Sequence, residues 1–222
     1  MTIELVIARF QEDLSWVKEL PDVFSKIVIY NKGNPIEIEI PKSEIHVLPN
    51  LGRDTHSYLY HVTNNYNNLA DVTIFTLGSA WSRTDKKVKL LEVIENVTKL
   101  KTSFMCNTYT DQQHIYNSYF FQTDEYKITN EENFKYNPDT KIDLCEERPL
   151  VNWFLKYFPN ERIHSVSYLS IFAASKEDIH KRSVEFYKMF VDKLAIQKNP
   201  EVCHYFERVW KNVFSIDDSF CI

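Results

Sequence analysis

Cations at Arg9, Lys32 and Arg53, carboxylates at Asp54 and Glu207, and the imidazole of His204 are side chains whose types and placement suit chemistry on a phosphorylated ligand. The first four fall in short segments that follow a predicted strand or open a predicted helix. These are Ala8-Arg9-Phe10, Tyr30-Asn31-Lys32, Asn50-Leu51-Gly52-Arg53-Asp54 and Thr76-Leu77-Gly78-Ser79. In open α/β sheets, ligands bind beyond the carboxyl ends of the strands. Arg9, Lys32 and Arg53 would neutralise a diphosphate there, arginine through two parallel hydrogen bonds. Ala8, Asn31, Gly52, Thr76 and Gly78 would supply amides and close backbone approach, glycine because it lacks a Cβ. The structural alternative pairs Arg9 with Glu12 and Arg53 with Asp54 as ordinary ion pairs.

Near the C-terminus, Val202, Phe206, Val209, Trp210 and Val213 share one apolar arc at helical spacing, with Glu207 at its margin. A partly desolvated carboxylate is a better proton acceptor, so Glu207 is the first candidate general base, with Asp54 and Glu201 behind it. The plainer expectation is an i,i+4 pair with Lys211. His204 on the same helix would hydrogen-bond a ligand or face solvent. Trp81 and Trp153 would stack on a sugar or base, or fill the core.

These residues need elements to position them. Residues 3–9 read as a strand, Glu12–Leu20 as a helix stopped by Pro21, and Lys26–Tyr30 as a second strand. That succession is the βαβ unit of a parallel sheet. Residues 36–48 alternate as a half-exposed strand or hairpin. A helix follows over 53–65, a buried strand over 71–76, and a helix over Lys87–Leu100 whose inner face is Leu90, Ile94 and Val97, widened by Leu91 and Val93. Residues 102–146 read as loops with short strands. Then come a helix over 148–158, a strand over 166–173, Ser175 as an N-cap, and helices over 177–197 and 200–214, with Asn199-Pro200 opening the last. The fold class is α/β, a mostly parallel central sheet flanked by helices, in one domain over 1–222.

Composition narrows the function classes. The formal net charge of −5 and the lack of a basic run argue against nucleic-acid binding. No apolar stretch is long enough to span a membrane, and the acidic residue in Thr2–Ala8 does not fit a secretion signal, so a cytoplasmic protein is expected. The four cysteines (Cys106, Cys145, Cys203, Cys221) lack zinc or disulfide spacing and read as reduced, mostly buried thiols. Glycine-rich phosphate loops and a Gly-x-Ser-x-Gly elbow are absent, against dinucleotide oxidoreductases, NTPases and hydrolases of that type.

Several stretches together resemble an uncharacterised domain family known from fungi and large DNA viruses. They are Glu4–Trp16, Ile29–Gly33, Leu48–Asp54, Tyr58–His61, Asp71–Phe75 and His204–Trp210 with Phe214, running from residue 4 to 214 and thinning only in the middle. That family is itself similar to GT-A glycosyltransferases, and Asn50, Gly52, Arg53 and Asp54 resemble a pattern of rhamnan-synthesis transferases. The resemblance implies transfer of a sugar from a nucleotide-diphosphate donor to a glycan or other hydroxyl acceptor. Residues 1–100 would then be the nucleotide-binding half and 101–222 the acceptor-side half. Glu207 or Asp54 would be the base, and His204 and Trp81 would contact the acceptor. GT-A enzymes usually hold Mn²⁺ or Mg²⁺ on an Asp-x-Asp pair after the strand equivalent to 71–76. Thr76-Leu77-Gly78-Ser79 stands here instead, and Arg53, Lys32 and Arg83 would replace the metal's charge. Two other readings are a non-catalytic glycan- or nucleotide-binding module on the same fold, and a partner-binding scaffold.

Overall fold

The computed structural model describes residues 1–217. Eight strands appear: β1 (Ile3–Arg9), β2 (Lys26–Asn31), β3 (Ser43–Val47), β4 (Val72–Leu77), β5 (Phe104–Met105), β6 (Thr108–Tyr109), β7 (Val166–Ser167) and β8 (Phe172–Ser175). Six of them form one sheet in the order β3-β2-β1-β4-β8-β5, and β6 pairs with β7 separately. The pairings β1–β2, β1–β4 and β2–β3 are parallel, whereas β8 runs antiparallel to both β4 and β5. The central sheet is therefore mixed: its N-terminal half is parallel, and the two strands from the second half of the chain close it antiparallel.

Both faces of the sheet are covered, which explains why β1, β2 and β4 are nearly continuous apolar runs. Val6, Ala8, Val28, Tyr30 and Phe75 point to one side, against α1 (Arg53–Asn65), α5 (Leu150–Tyr157), α7 (Val184–Leu194) and α8 (Val202–Phe214). Leu5, Ile7, Ile27, Ile29 and Ile74 point to the other, against a 3-10 turn (Ser15–Glu19) and α2 (Thr84–Leu100). On the first side Glu4 is buried and lies 2.9 Å from His61 Nε2, whose Nδ1 is 3.1 Å from the Tyr30 hydroxyl. These polar groups are packed together inside the core, the His61–Glu4 contact as a close approach and not as a well-aligned hydrogen bond.

Several elements differ from the pattern reading. The helix expected over 12–20 is only the 3-10 turn, because side chains hold residues 10–15 in a loop. Glu12 Oε2 accepts from Phe10 N–H, and Asp13 accepts from Ser15 N–H. Residues 36–40 form no strand, and β3 pairs parallel with β2 in place of a hairpin. α2 begins one turn earlier than expected, and Leu91 is exposed. The single strand expected over 166–173 is broken at Leu169 and Ser170, both at positive φ. The helix expected over 177–197 is α6 (Lys176–Ile179) and α7, interrupted where Ser183 caps α7. Ser175 does cap α6, accepting from Asp178 N–H. Glu201, not Asn199, sits at the N-cap of α8. Residues 102–146 hold two helices that were not anticipated, α3 (Gln112–Tyr119) and α4 (Glu131–Tyr136), capped by Asp111 and Asn130. Cys106 and Cys203 are buried free thiols and Cys145 is partly buried, while Cys221 lies outside the described residues. No helix among the described residues is long and apolar enough to cross a membrane.

Candidate functional site

The parallel strands β1, β2 and β4 end at one edge of the sheet, and a cavity of about 300 Å³ lies there. Residues from both halves of the chain line it. Ala8 and Arg9 end β1, Lys32 follows β2, Leu77 ends β4, Arg53 and Asp54 open α1, and Cys203, His204 and Glu207 come from α8. Seven cations (Arg9, Lys32, Arg53, Arg83, Lys86, Lys127, Lys198) face three carboxylates (Glu12, Asp54, Glu207), an excess of four positive charges in a chain of net charge −5. The N-terminus of α1 adds to that field: it starts from Gly52 in the left-handed region and has no side-chain cap, whereas at α8 the Cys203 and His204 N–H groups already bond the Pro200 and Glu201 carbonyls. Uncapped N–H groups and the helix dipole both favour an anion.

The three deepest cations are already committed to the protein. Arg9 donates through Nε to the Glu12 carbonyl at 2.8 Å, and through one terminal nitrogen to Asn31 Oδ1 at 2.6 Å and the Asn34 carbonyl at 2.7 Å. It ties the loop after β1 to the loop after β2. Lys32 donates to the Leu51 carbonyl at 2.6 Å and to the Arg53 carbonyl, fastening the entry to α1. Burial pushes its ammonium down to about 8, so it keeps its charge at neutral pH in the main. The Arg53 guanidinium lies 3.7 Å from the centre of the Tyr126 ring and donates to His204 Nε2 at 2.9 Å. His204 therefore accepts through Nε2 and carries its proton on Nδ1. Neither Arg9–Glu12 nor Arg53–Asp54 forms an ion pair among the described residues.

The carboxylates are unequal. Glu12 accepts from Phe10 N–H at 2.7 Å through one oxygen and from Asn133 Nδ2 at 2.6 Å through the other. Glu207 accepts from Leu169 N–H at 2.9 Å through Oε1. That bond holds the turn in which Leu169 (φ 77°) and Ser170 (φ 52°), both cavity residues, adopt the left-handed region. Non-glycine residues there carry strain of about 1–3 kcal/mol each, a cost that clusters at functional sites. The Asp54 carboxylate, in the first turn of α1, makes no hydrogen bond or ion pair among the described residues. Glu201 is fully buried beneath the site and holds Thr123 N–H, Cys145 N–H and Arg148, which removes it from the candidate bases.

The segment from Thr123 to Cys145 covers the cavity. It is pinned at both ends by Glu201, paired internally between Glu125 and Lys141, and reaches across to Glu12 through Asn133. Tyr126, Lys127, Asn133 and Asn137 line the cavity from it.

Of the residues singled out from the sequence, the structure gathers Ala8, Arg9, Lys32, Arg53, Asp54, His204 and Glu207 around this one cavity. Asn31, Gly52, Thr76 and Gly78 stand behind its wall. Asn31 orients Arg9, Gly52 leaves no room for a Cβ against His56 and Leu194, and Gly78 makes room for the Glu12 carboxylate, 2.8 Å from where a Cβ would be. The Thr76 side chain is buried. Trp81 is not brought to the cavity but stacks on Trp16 at 5.0 Å, and Trp153 is core. Sequence reasoning passed over Lys86, Tyr126, Lys127, Asn133 and Lys198. Lys86 lies in the first turn of α2, ahead of the Lys87 start that the pattern predicts, and three of the others lie in the covering segment, which has no periodic pattern to read.

The neutral His204 gives a pH prediction. Burial, then the charges of Arg53 and Arg208, push its imidazole from 6.5 down to about 3. Burial and Lys32 push His56 down to about 4. Both groups bind a proton more readily unfolded than folded. Their contribution to stability is complete above pH 6.5 and is lost as pH falls through that value toward the folded values. Melting temperature is expected to drop on acidification from pH 7 to 4.5. His204→Gln should show a shallower drop than the wild type, measured by circular dichroism in matched buffers.

The fold and site define an α/β domain with an anion-favouring cleft at the carboxyl edge of a mixed six-stranded sheet. The chain belongs to the family described as protein of unknown function (DUF3431), whose model matches residues 5–222. Among curated proteins none matches it in sequence.

Proposed function

We propose that this chain is a GT-A-type glycosyltransferase that binds a nucleotide-diphosphate sugar in the cleft and transfers the sugar to a hydroxyl acceptor. The observation that carries this reading is the four-charge positive excess around a carboxylate, Asp54, that has no partner of its own. A cleft with that field suits a diphosphate, and a free carboxylate inside it suits a proton acceptor. In an inverting transfer the acceptor oxygen bonds to the anomeric carbon as that carbon's bond to the diphosphate oxygen breaks. The acceptor's proton passes to the base, and the nucleoside diphosphate leaves with the electron pair. Asp54 is the first candidate base because both its oxygens are open. Glu207 is second, with one oxygen held by Leu169 N–H and the other 3.9 Å from Arg208.

The resemblance to GT-A enzymes implies a divalent ion, and the side chains around the cleft do not fit one well. Among the described residues no three His, Cys, Asp or Glu side chains converge on one point. Glu12 and Glu207 are each engaged through both oxygens, Glu207 by Leu169 N–H and by Arg208 at 3.9 Å, and Leu77-Gly78-Ser79 offers no carboxylate at the end of β4. Charge neutralisation in this reading falls to the cleft's own cations, and no step is routed through a metal. The engagement of Glu12 and Glu207 also favours a second reading, a binding module that holds a nucleotide or glycan without turnover.

The test is a thermal-shift panel of UDP-, GDP- and dTDP-sugars, each with and without Mn²⁺ or Mg²⁺. A saturating shift with one nucleotide supports the donor site, and no shift with any member rejects it. With the donor in hand, Asp54→Asn is expected to lower turnover about 100-fold or more while leaving donor affinity within a few-fold. Donor binding with no detectable turnover in the wild type would favour the binding module.

A further inference from the structure

Lys86 differs from every other cation of the cleft. Arg9, Lys32 and Arg53 are held by protein acceptors, as described above. Arg83 is folded back on Asp85, donating through Nε to Oδ1 at 3.0 Å and through a terminal nitrogen to Oδ2. Lys127 and Lys198 are exposed at the rim, where water solvates them. Lys86 lies in the first turn of α2, half-buried, and its ammonium has a single partner, the Ser79 hydroxyl at 3.1 Å. An ammonium carries three donors, so two are open toward the cleft. Among the described residues it forms no ion pair. Burial pushes its pKa below the ordinary lysine value, with Arg83 adding to the effect and Asp54, Glu12 and Asp85 opposing it. A desolvated cation held by one neutral hydroxyl is costly until an anion arrives to complete it.

Position strengthens the assignment. Ser79 follows the end of β4, so the Ser79–Lys86 pair faces the cleft beside the strand end where ligands of α/β sheets lie. Ser79 itself is buried, and its carbonyl accepts from Ser82, which holds the backbone of the turn that carries the hydroxyl.

We propose that Lys86, oriented by Ser79, is the phosphate-binding cation of the cleft, taking the diphosphate group of the ligand, while Arg9 and Lys32 shape the walls. This assignment rests on the reading of the cleft as a nucleotide-diphosphate site and names the group that recognises the charged part.

The experiment is calorimetric titration of the full chain with UDP, GDP, dTDP and inorganic pyrophosphate, and with the matching nucleosides. Wild type, Lys86→Met, Lys86→Gln and Ser79→Ala are compared, all checked for native melting. Lys86→Met and Lys86→Gln are expected to weaken binding of the diphosphate that the wild type takes on the order of 10–100-fold, and to leave binding of its nucleoside unchanged. Ser79→Ala should give a smaller loss of the same selectivity. Diphosphate affinity within two-fold of wild type in both Lys86 variants would overturn the assignment of Lys86 and leave the nucleotide reading standing. Failure of the wild type to bind any diphosphate or pyrophosphate would instead overturn the nucleotide reading, and this assignment with it.

Discussion

Glu201→Ala is expected to be strongly destabilising, costing about 3–5 kcal/mol. The carboxylate is wholly buried, and its two oxygens accept from Thr123 N–H at 2.8 Å and Cys145 N–H at 3.1 Å. Arg148 Nε lies 3.0 Å from the second oxygen. Truncation leaves two backbone donors without their acceptor and Arg148 with Asp124 as its remaining partner, and it frees both ends of the segment that covers the cleft. For a domain of this size, melting temperature should fall by roughly 6–20 °C. Glu201→Gln retains one oxygen and should lose less. A Glu201→Ala melting temperature within 2 °C of wild type would show that the carboxylate contributes little to holding the cover.

Gly33→Ala should cost about 3 kcal/mol or more, by a different route. A Cβ at position 33 would fall 1.7 Å from the Phe10 carbonyl oxygen and 2.6 Å from its carbon. Both are backbone atoms, so no rotamer change relieves the overlap. The loops after β1 and β2 would have to separate, and those are the loops that Arg9 bridges through Asn31 and Asn34. The loss should therefore appear twice: as a lower denaturant midpoint with unchanged slope, and as weaker binding of whichever nucleotide the wild type takes. An unchanged midpoint would mean that the loops separate at no cost.

Much of the frame was legible because it is written in local patterns. The apolar runs at 3–9, 26–31 and 72–77 sit in a sheet buried on both faces, and the α1 boundaries follow from Gly52 and the helical spacing after it. The arc of Val202, Phe206, Val209, Trp210 and Val213 predicts which face of α8 is inside, and Phe206, Val209, Trp210 and Val213 are core. The position of Arg9, Lys32, Arg53 and Asp54 at one edge also follows from local order, since parallel strands end on the same side.

What those residues do with their hydrogen bonds was not legible. Sequence places Arg9 and Lys32 where a phosphate would lie, yet long-range geometry gives their donors to carbonyls on neighbouring loops. The break at Leu169–Ser170 breaks no rule of composition. At that break Leu169 N–H donates to Glu207, thirty-eight positions away, a partner that no local pattern reveals. Residues 123–145 have no periodicity, and distant partners such as Glu201, Glu12 and Asn199 give them a place. By itself the sequence determined the α/β class, most of the parallel strands and the edge of the sheet where charge collects, because each depends on neighbours a few residues apart. The tertiary structure decided which charges remain open to a ligand. That depends on partners tens of residues distant, which burial brings together and no local pattern records.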